Sequence, residues 1–172
     1  EKGIEEFLEA AKKIKPKYNN ARFQLLGFFE EDLYRRQVEG LVSEGIVEYL
    51  GVSSDTRAEM SQADCIVLPS YHEGMSNVLL EGAAMGLPLI TTDIHGCKEA
   101  VDDGINGFLC KVKDADSLTE AVERFLSLST EARRGMGLKA REKIVNEFDR
   151  NLVVGRYMEA IREAIGDKYH EK

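Results

Sequence analysis

The chain has 172 residues, enough for one domain with a sizeable core, and its 31 acidic and 23 basic side chains give a net charge of −8 at pH 7. That acidic balance argues against a nucleic-acid partner. No apolar run approaches the ~20 residues that span a bilayer, no signal peptide is visible, and Cys65, Cys97 and Cys110 lack C-x-x-C spacing, so they read as buried thiols of a cytoplasmic protein.

Strand-like and helix-like patterns alternate along the chain. Ile4, Phe7, Leu8, Ala11 and Ile14 recur at helical spacing and predict a helix over 4–14, ended by Lys15-Pro16. Residues 23–28 read as a strand, and 31–44 as a helix with Leu33, Val38, Leu41 and Val42 inward. A strand over 46–50, a short helix over 56–63 and a strand over 65–68 follow. The next helix spans 76–85, then a strand 88–92, a short helix near 97–102 and a strand 107–110. Three helices close the chain, over 115–128, 130–147 and 150–165. This alternation predicts a parallel sheet with helices on both faces and no linker to a second domain within 1–172.

The segment between the strands at 65–68 and 88–92 carries the chemistry. Glu73 lies in a loop at a strand end and Glu81 lies inside the following helix, with seven residues between them. In open α/β sheets ligands bind where strand ends meet helix starts. Gly74 lets a ligand approach the backbone closely. Ser76 or Asn77 is a suitable N-cap, and the first N–H groups of the helix it opens, with the helix dipole, suit a diphosphate. Glu81 falls about 6–8 Å further along the axis, where its carboxylate can accept hydrogen bonds from vicinal hydroxyls such as those of a ribose.

Pro69-Ser70, Glu73-Gly74, Glu81, Ala83-Ala84, Gly86-Leu87-Pro88 and Asn106-Gly107-Phe108-Leu109 together resemble the retaining glycosyltransferases of family 4, the glycosyl transferases group 1, with a GT-B fold. The resemblance runs from Lys2-Gly3 to about Phe148. It implies that 1–172 is the C-terminal, donor-binding, Rossmann-like half of a two-domain enzyme. It also implies that Glu73 lies beside the transferred sugar as the catalytic carboxylate and that Glu81 holds the donor ribose. Gly74, Met75, Ser76, Asn77 and Val78 then receive the donor phosphates, with Lys2 neutralising the diphosphate and no metal required. The implied substrate is a nucleotide diphosphate sugar rather than a cofactor. The acceptor, a glycan or a lipid-linked molecule, belongs to the other domain, which in the family usually carries a catalytic histidine and through which the intact enzyme touches the membrane.

The same resemblance sets further expectations. The chain reads as an excised piece that starts after the family's arginine and after the first strand of this domain. The last helix, 150–165, is expected to cross back onto the other domain with Leu152, Val153, Tyr157, Ile161 and Ile165; the alternative is that it packs on its own sheet. Ser53-Ser54-Asp55 lies where the family's nucleotide base docks, and Gly96 and Glu99 match a Gly-x-x-Glu loop read as structural. Asp114-Ala115-Asp116 reads as helix capping rather than a metal site. Gly135-Met136-Gly137 follows a helix, not a strand, and so fails as a dinucleotide fingerprint. His72 adjoins Glu73 and is a candidate pocket residue; His95 is a loop residue, and neither has metal-ligand spacing around it. Two rival readings are a GT-B epimerase or sugar-phosphate synthase, and a Rossmann-like binding module without chemistry.

Overall fold

The computed structural model describes residues 1–169 and the side chains of residues 1–165. Its elements run α1 (Ile4–Ile14), β1 (Gln24–Leu26), α2 (Asp32–Ser43), β2 (Glu48–Gly51), α3 (Arg57–Met60), β3 (Ile66–Leu68), α4 (Asn77–Ala84) and β4 (Leu89–Thr92). A 3-10 turn (Lys98–Ala100), β5 (Gly107–Cys110), α5 (Ala115–Leu126), α6 (Thr130–Glu147) and α7 (Arg150–Tyr169) complete the order. Every predicted element is present. The strands are shorter than predicted at β1 and β3, because backbone pairing stops before the apolar pattern does.

Every strand pair is parallel, but the described residues form two ladders rather than the single sheet expected. β1 pairs only with β2, and β3–β4–β5 form the second ladder. The edges of β1 and β3 that face away from these partners carry no ladder bonds. Alternation along the second ladder sends side chains to two cores, as a period of two requires. Val67, Ile90, Phe108 and Cys110 pack with α1 and α5, around Phe7, Leu8, Ile14, Leu118 and Phe125. Ile66, Leu68, Leu89 and Leu109 pack with α4 and α6, around Leu79, Ala83, Ala140 and Ile144. Helices therefore cover both faces. Each Val, Leu, Ile or Phe side chain in these cores taken from water stabilises the domain by about 1.5–3 kcal/mol.

Three local results sharpen the sequence reading. In α2, Val38 and Leu41 are buried as expected, whereas Leu33 and Val42 are exposed. A ladder of three- and four-residue strands offers less apolar surface than the stripe on α2 could cover. Gly137 sits within α6, where a Cβ would fall 1.9 Å from the Gly86 carbonyl oxygen, so the glycine of the false fingerprint is what lets α6 meet the α4–β4 turn. Finally, α7 starts directly after α6, with Asp149 Oδ1 accepting from the Asn151 N–H at 2.8 Å. Residues 150–165 of α7 are exposed throughout, Tyr157 and Ile161 included, so the helix does not lie on its own sheet.

Candidate functional site

The site grows from the carboxyl end of β3. Beyond Leu68 the chain turns through Pro69 and Ser70, and the start of α1 is laid against this turn by three contacts. Gly3, in the left-handed region at φ 72°, comes so close to Pro69 that a Cβ would sit 2.0 Å from its carbonyl oxygen. The Tyr71 N–H donates to the Glu1 carbonyl at 2.9 Å, and the Tyr71 hydroxyl donates to the Glu6 carboxylate. Lys2 is thereby delivered to Glu73 across 71 residues of sequence. Its Nζ donates to Glu73 Oε1 at 2.6 Å, and the buried Ser70 hydroxyl donates to the same oxygen at 2.8 Å. Burial pushes the Glu73 carboxyl up. The hydrogen bonds from Lys2 and Ser70, with the charges of Lys2 and His72, outweigh that and leave it below the usual carboxylate range.

β4 braces this turn from beneath. The Thr91 hydroxyl donates to the Leu68 carbonyl at 2.7 Å, and the Thr92 hydroxyl donates to the Ser70 carbonyl. Both threonines are buried, which explains why a polar pair can end an otherwise apolar strand.

Ser76 is the N-cap of α4, its Oγ accepting from the Leu79 N–H at 3.5 Å. Its own N–H is already used: it donates to the Gly96 carbonyl at 3.0 Å. The phosphate-facing amides expected over 75–78 are thus narrowed, because Ser76 cannot donate to a ligand while that bond stands. Asn77 and Val78, as the first two residues of the helix, have N–H groups with no intrahelical acceptor. Met75 and Val78 expose apolar side chains beside them.

Glu81 is exposed and lies apart from the Lys2–Glu73 pair. It borders a cleft of ≈ 410 Å³ whose other wall is Ser54, Asp55, Thr56 and Arg57, with Ala84 and Met85 at its base. In that wall the Asp55 carboxylate accepts from the Arg57 backbone N–H, Nε and Nη2, which fixes the guanidinium near Glu81. The Arg57 hydrogen bonds hold the Asp55 carboxyl down at about 2. Arg57 escaped the sequence reading, since nothing in its own neighbourhood ties it to a glutamate in α4. A second cleft of the same volume, between α1 and α2, is lined by Glu5, Glu9, Lys12, Arg36 and Glu44 and holds none of the motif residues.

Other candidates resolve as follows. His72 is exposed and adjoins Glu73 in the chain. His95 is exposed and its Nδ1 lies 3.1 Å from Glu99 Oε1. Asp114 caps α5, accepting from the Ser117 N–H at 2.8 Å, and Asp116 pairs with Lys13. Cys65, Cys97 and Cys110 are free thiols, and burial pushes Cys110 up to about 12. Among the described residues no cluster of His, Cys, Asp or Glu is placed to hold a metal ion, and no helix is long and apolar enough to cross a membrane.

The chain is 34% identical over 157 residues to the N,N'-diacetylbacillosaminyl-diphospho-undecaprenol alpha-1,3-N-acetylgalactosaminyltransferase of Campylobacter jejuni, covering 91% of the chain and 40% of that protein. A sucrose-phosphate synthase structure from Thermosynechococcus elongatus matches with a TM-score of 0.79 at 27% identity, over 96% of the chain and 43% of that structure. The Anabaena HepE structure in complex with UDP and glucose matches with a TM-score of 0.79 at 22% identity, over 93% of the chain and 44% of that structure, a likeness of fold. The chain thus spans less than half the length of each. Its α/β, Rossmann-like architecture is that of the GT-B glycosyltransferases. Residues 1–128 match the family described as Glycosyl transferases group 1, and the chain belongs to that family.

Proposed function

We propose that this chain is the donor-binding domain of a retaining glycosyltransferase that moves a sugar from a nucleotide diphosphate sugar to a glycan or lipid-linked acceptor in cell-surface polysaccharide biosynthesis. The observation that carries the reading is the junction of Lys2, Glu73 and the open end of α4. A cation, a carboxylate and the unpaired N–H groups of Asn77 and Val78 are the kinds of group that bind a sugar diphosphate, which supports the reading. Lys2 and the helix end supply the positive charge that a departing diphosphate requires, so the chemistry proposed is metal-independent. Glu73 positions the sugar and stabilises positive charge developing on it. Glu81 accepts the ribose hydroxyls, and the Ser54–Arg57 wall receives the base. A relative that acts on an undecaprenol-linked sugar supports a lipid-linked acceptor, held by a second domain onto which α7 crosses and through which the enzyme meets the membrane. The unpaired edges of β1 and β3 are proposed to receive a further strand of the intact chain. Its three free thiols support a cytoplasmic location.

Titrating UDP, GDP and ADP into the intact protein, with amide NMR on Lys2 and residues 73–81, tests the site. One nucleotide should shift Asn77, Val78 and Lys2, and Glu81→Ala should weaken its binding by about 1–3 kcal/mol. Unchanged affinity in that variant would sink the ribose assignment. The sucrose-phosphate synthase match favours one second reading, a sugar-phosphate synthase. Product analysis with a sugar phosphate against a glycan acceptor separates the two.

A further inference from the structure

The loop after β4 is built into the loop after β3. Gly96, at φ 86°, lies so close that a Cβ would stand 2.4 Å from the carbonyl oxygens of both Glu73 and Gly74. Its carbonyl takes the Ser76 N–H at 3.0 Å, and its N–H donates to Glu99 Oε2 at 2.8 Å. The second oxygen of Glu99 faces His95, whose ring is 93% exposed. Glu99 therefore ends a continuous run of bonds, carboxylate to Gly96 to Ser76 to the first turn of α4, without bordering the cleft or the Lys2–Glu73 pair. Burial pushes the Glu99 carboxyl up, but its bonds to its own backbone, His95 and Gly96 outweigh this and leave it below the usual carboxylate range.

We infer that Glu99 is a positioning residue for the diphosphate site: by holding the Gly96 N–H it fixes the Gly96 carbonyl on Ser76, and so decides which amides at the end of α4 stay free for the ligand. The consequence for the ligand rests on the donor-site reading above; the consequence for the loop does not. A charged acceptor of a backbone N–H at a part-exposed site is a strong bond for its size, and its removal leaves Gly96 free to rotate away from Ser76. His95 supplies an exposed ring nitrogen to the other Glu99 oxygen and is dispensable to this role.

The test is amide hydrogen exchange over residues 73–80 of the intact protein, first without ligand and then with UDP, GDP or ADP. Glu99→Ala should speed exchange at Ser76 about tenfold while distant amides in β5 keep their protection. Glu99→Met, which restores side-chain volume without an acceptor, should behave the same and guards against a simple cavity effect. Glu99→Gln retains an acceptor oxygen and should keep Ser76 protected, as should His95→Ala. The bound nucleotide should lose affinity about five- to tenfold in Glu99→Ala and recover most of it in Glu99→Gln. Unchanged Ser76 exchange in both Glu99→Ala and Glu99→Met, or loss of protection in Glu99→Gln, would overturn the inference. If no nucleotide binds the wild-type protein, the donor reading fails, and the ligand-free exchange still decides the role of Glu99.

Discussion

The two ladders obey the same parallel geometry and differ in how much of themselves they bury. All four residues of β4 are inaccessible, and its two faces feed separate cores. β2 has two exposed residues of four, and Leu50 and Val52 show their side chains to solvent. The second ladder carries Ser70, Glu73, Gly96 and the start of α4 on its carboxyl ends; Ser70, Gly96 and Ser76 are each held by a buried or backbone bond, and Glu73 by the Ser70 hydroxyl and Lys2. The first ladder contributes only the Ser54–Arg57 wall, held by a surface carboxylate and its arginine. In the proposed function the groups that meet the sugar and its diphosphate stand on the buried ladder, and the wall that meets the base stands on the exposed one.

That contrast can be broken in three places. Leu89→Ala removes a fully buried side chain from β4 and should cost about 2–5 kcal/mol in urea denaturation, against about 1 kcal/mol for Leu25→Ala in β1. Equal losses would mean that the two ladders are equally central to the fold. Gly137→Ala gains about 1 kcal/mol of helix propensity but drives a Cβ into the backbone of Gly86, so a net loss of about 1–3 kcal/mol is expected. Stabilisation instead would show that α6 can slide on the α4–β4 turn.

The smallest effect is at the surface clip of the first ladder. Arg22 donates from Nε and Nη2 to both Glu48 oxygens at 2.8 and 2.7 Å, and this, with a bond from Gln24, lowers the Glu48 carboxyl to about 2. A carboxyl depressed on folding stabilises the fold above its unfolded value near 4.5 and loses that contribution as pH falls toward 2. Both side chains are well exposed, so solvent screening limits the pair to roughly 0.5 kcal/mol. Glu48→Gln should therefore shift the urea midpoint slightly at pH 7 and by less at pH 2.

The sequence by itself determined the order and type of the elements, a cap at Ser76 or Asn77, capping by the Asp114-Ala115-Asp116 triplet and the line of motif residues from Ser70 to Glu81. Each of these is set by periodicity, capping chemistry or turn preference within a few neighbouring residues. Only the tertiary structure decided the rest. It brought Lys2 onto Glu73 across 71 positions and Arg57 beside the cleft of Glu81. It assigned the Ser76 amide to Gly96 rather than to a ligand, left Leu33 and Val42 in water, and divided the expected single sheet into two ladders. These outcomes depend on which backbone edges and polar groups lie opposite one another once the cores close, and no window of local sequence contains that information.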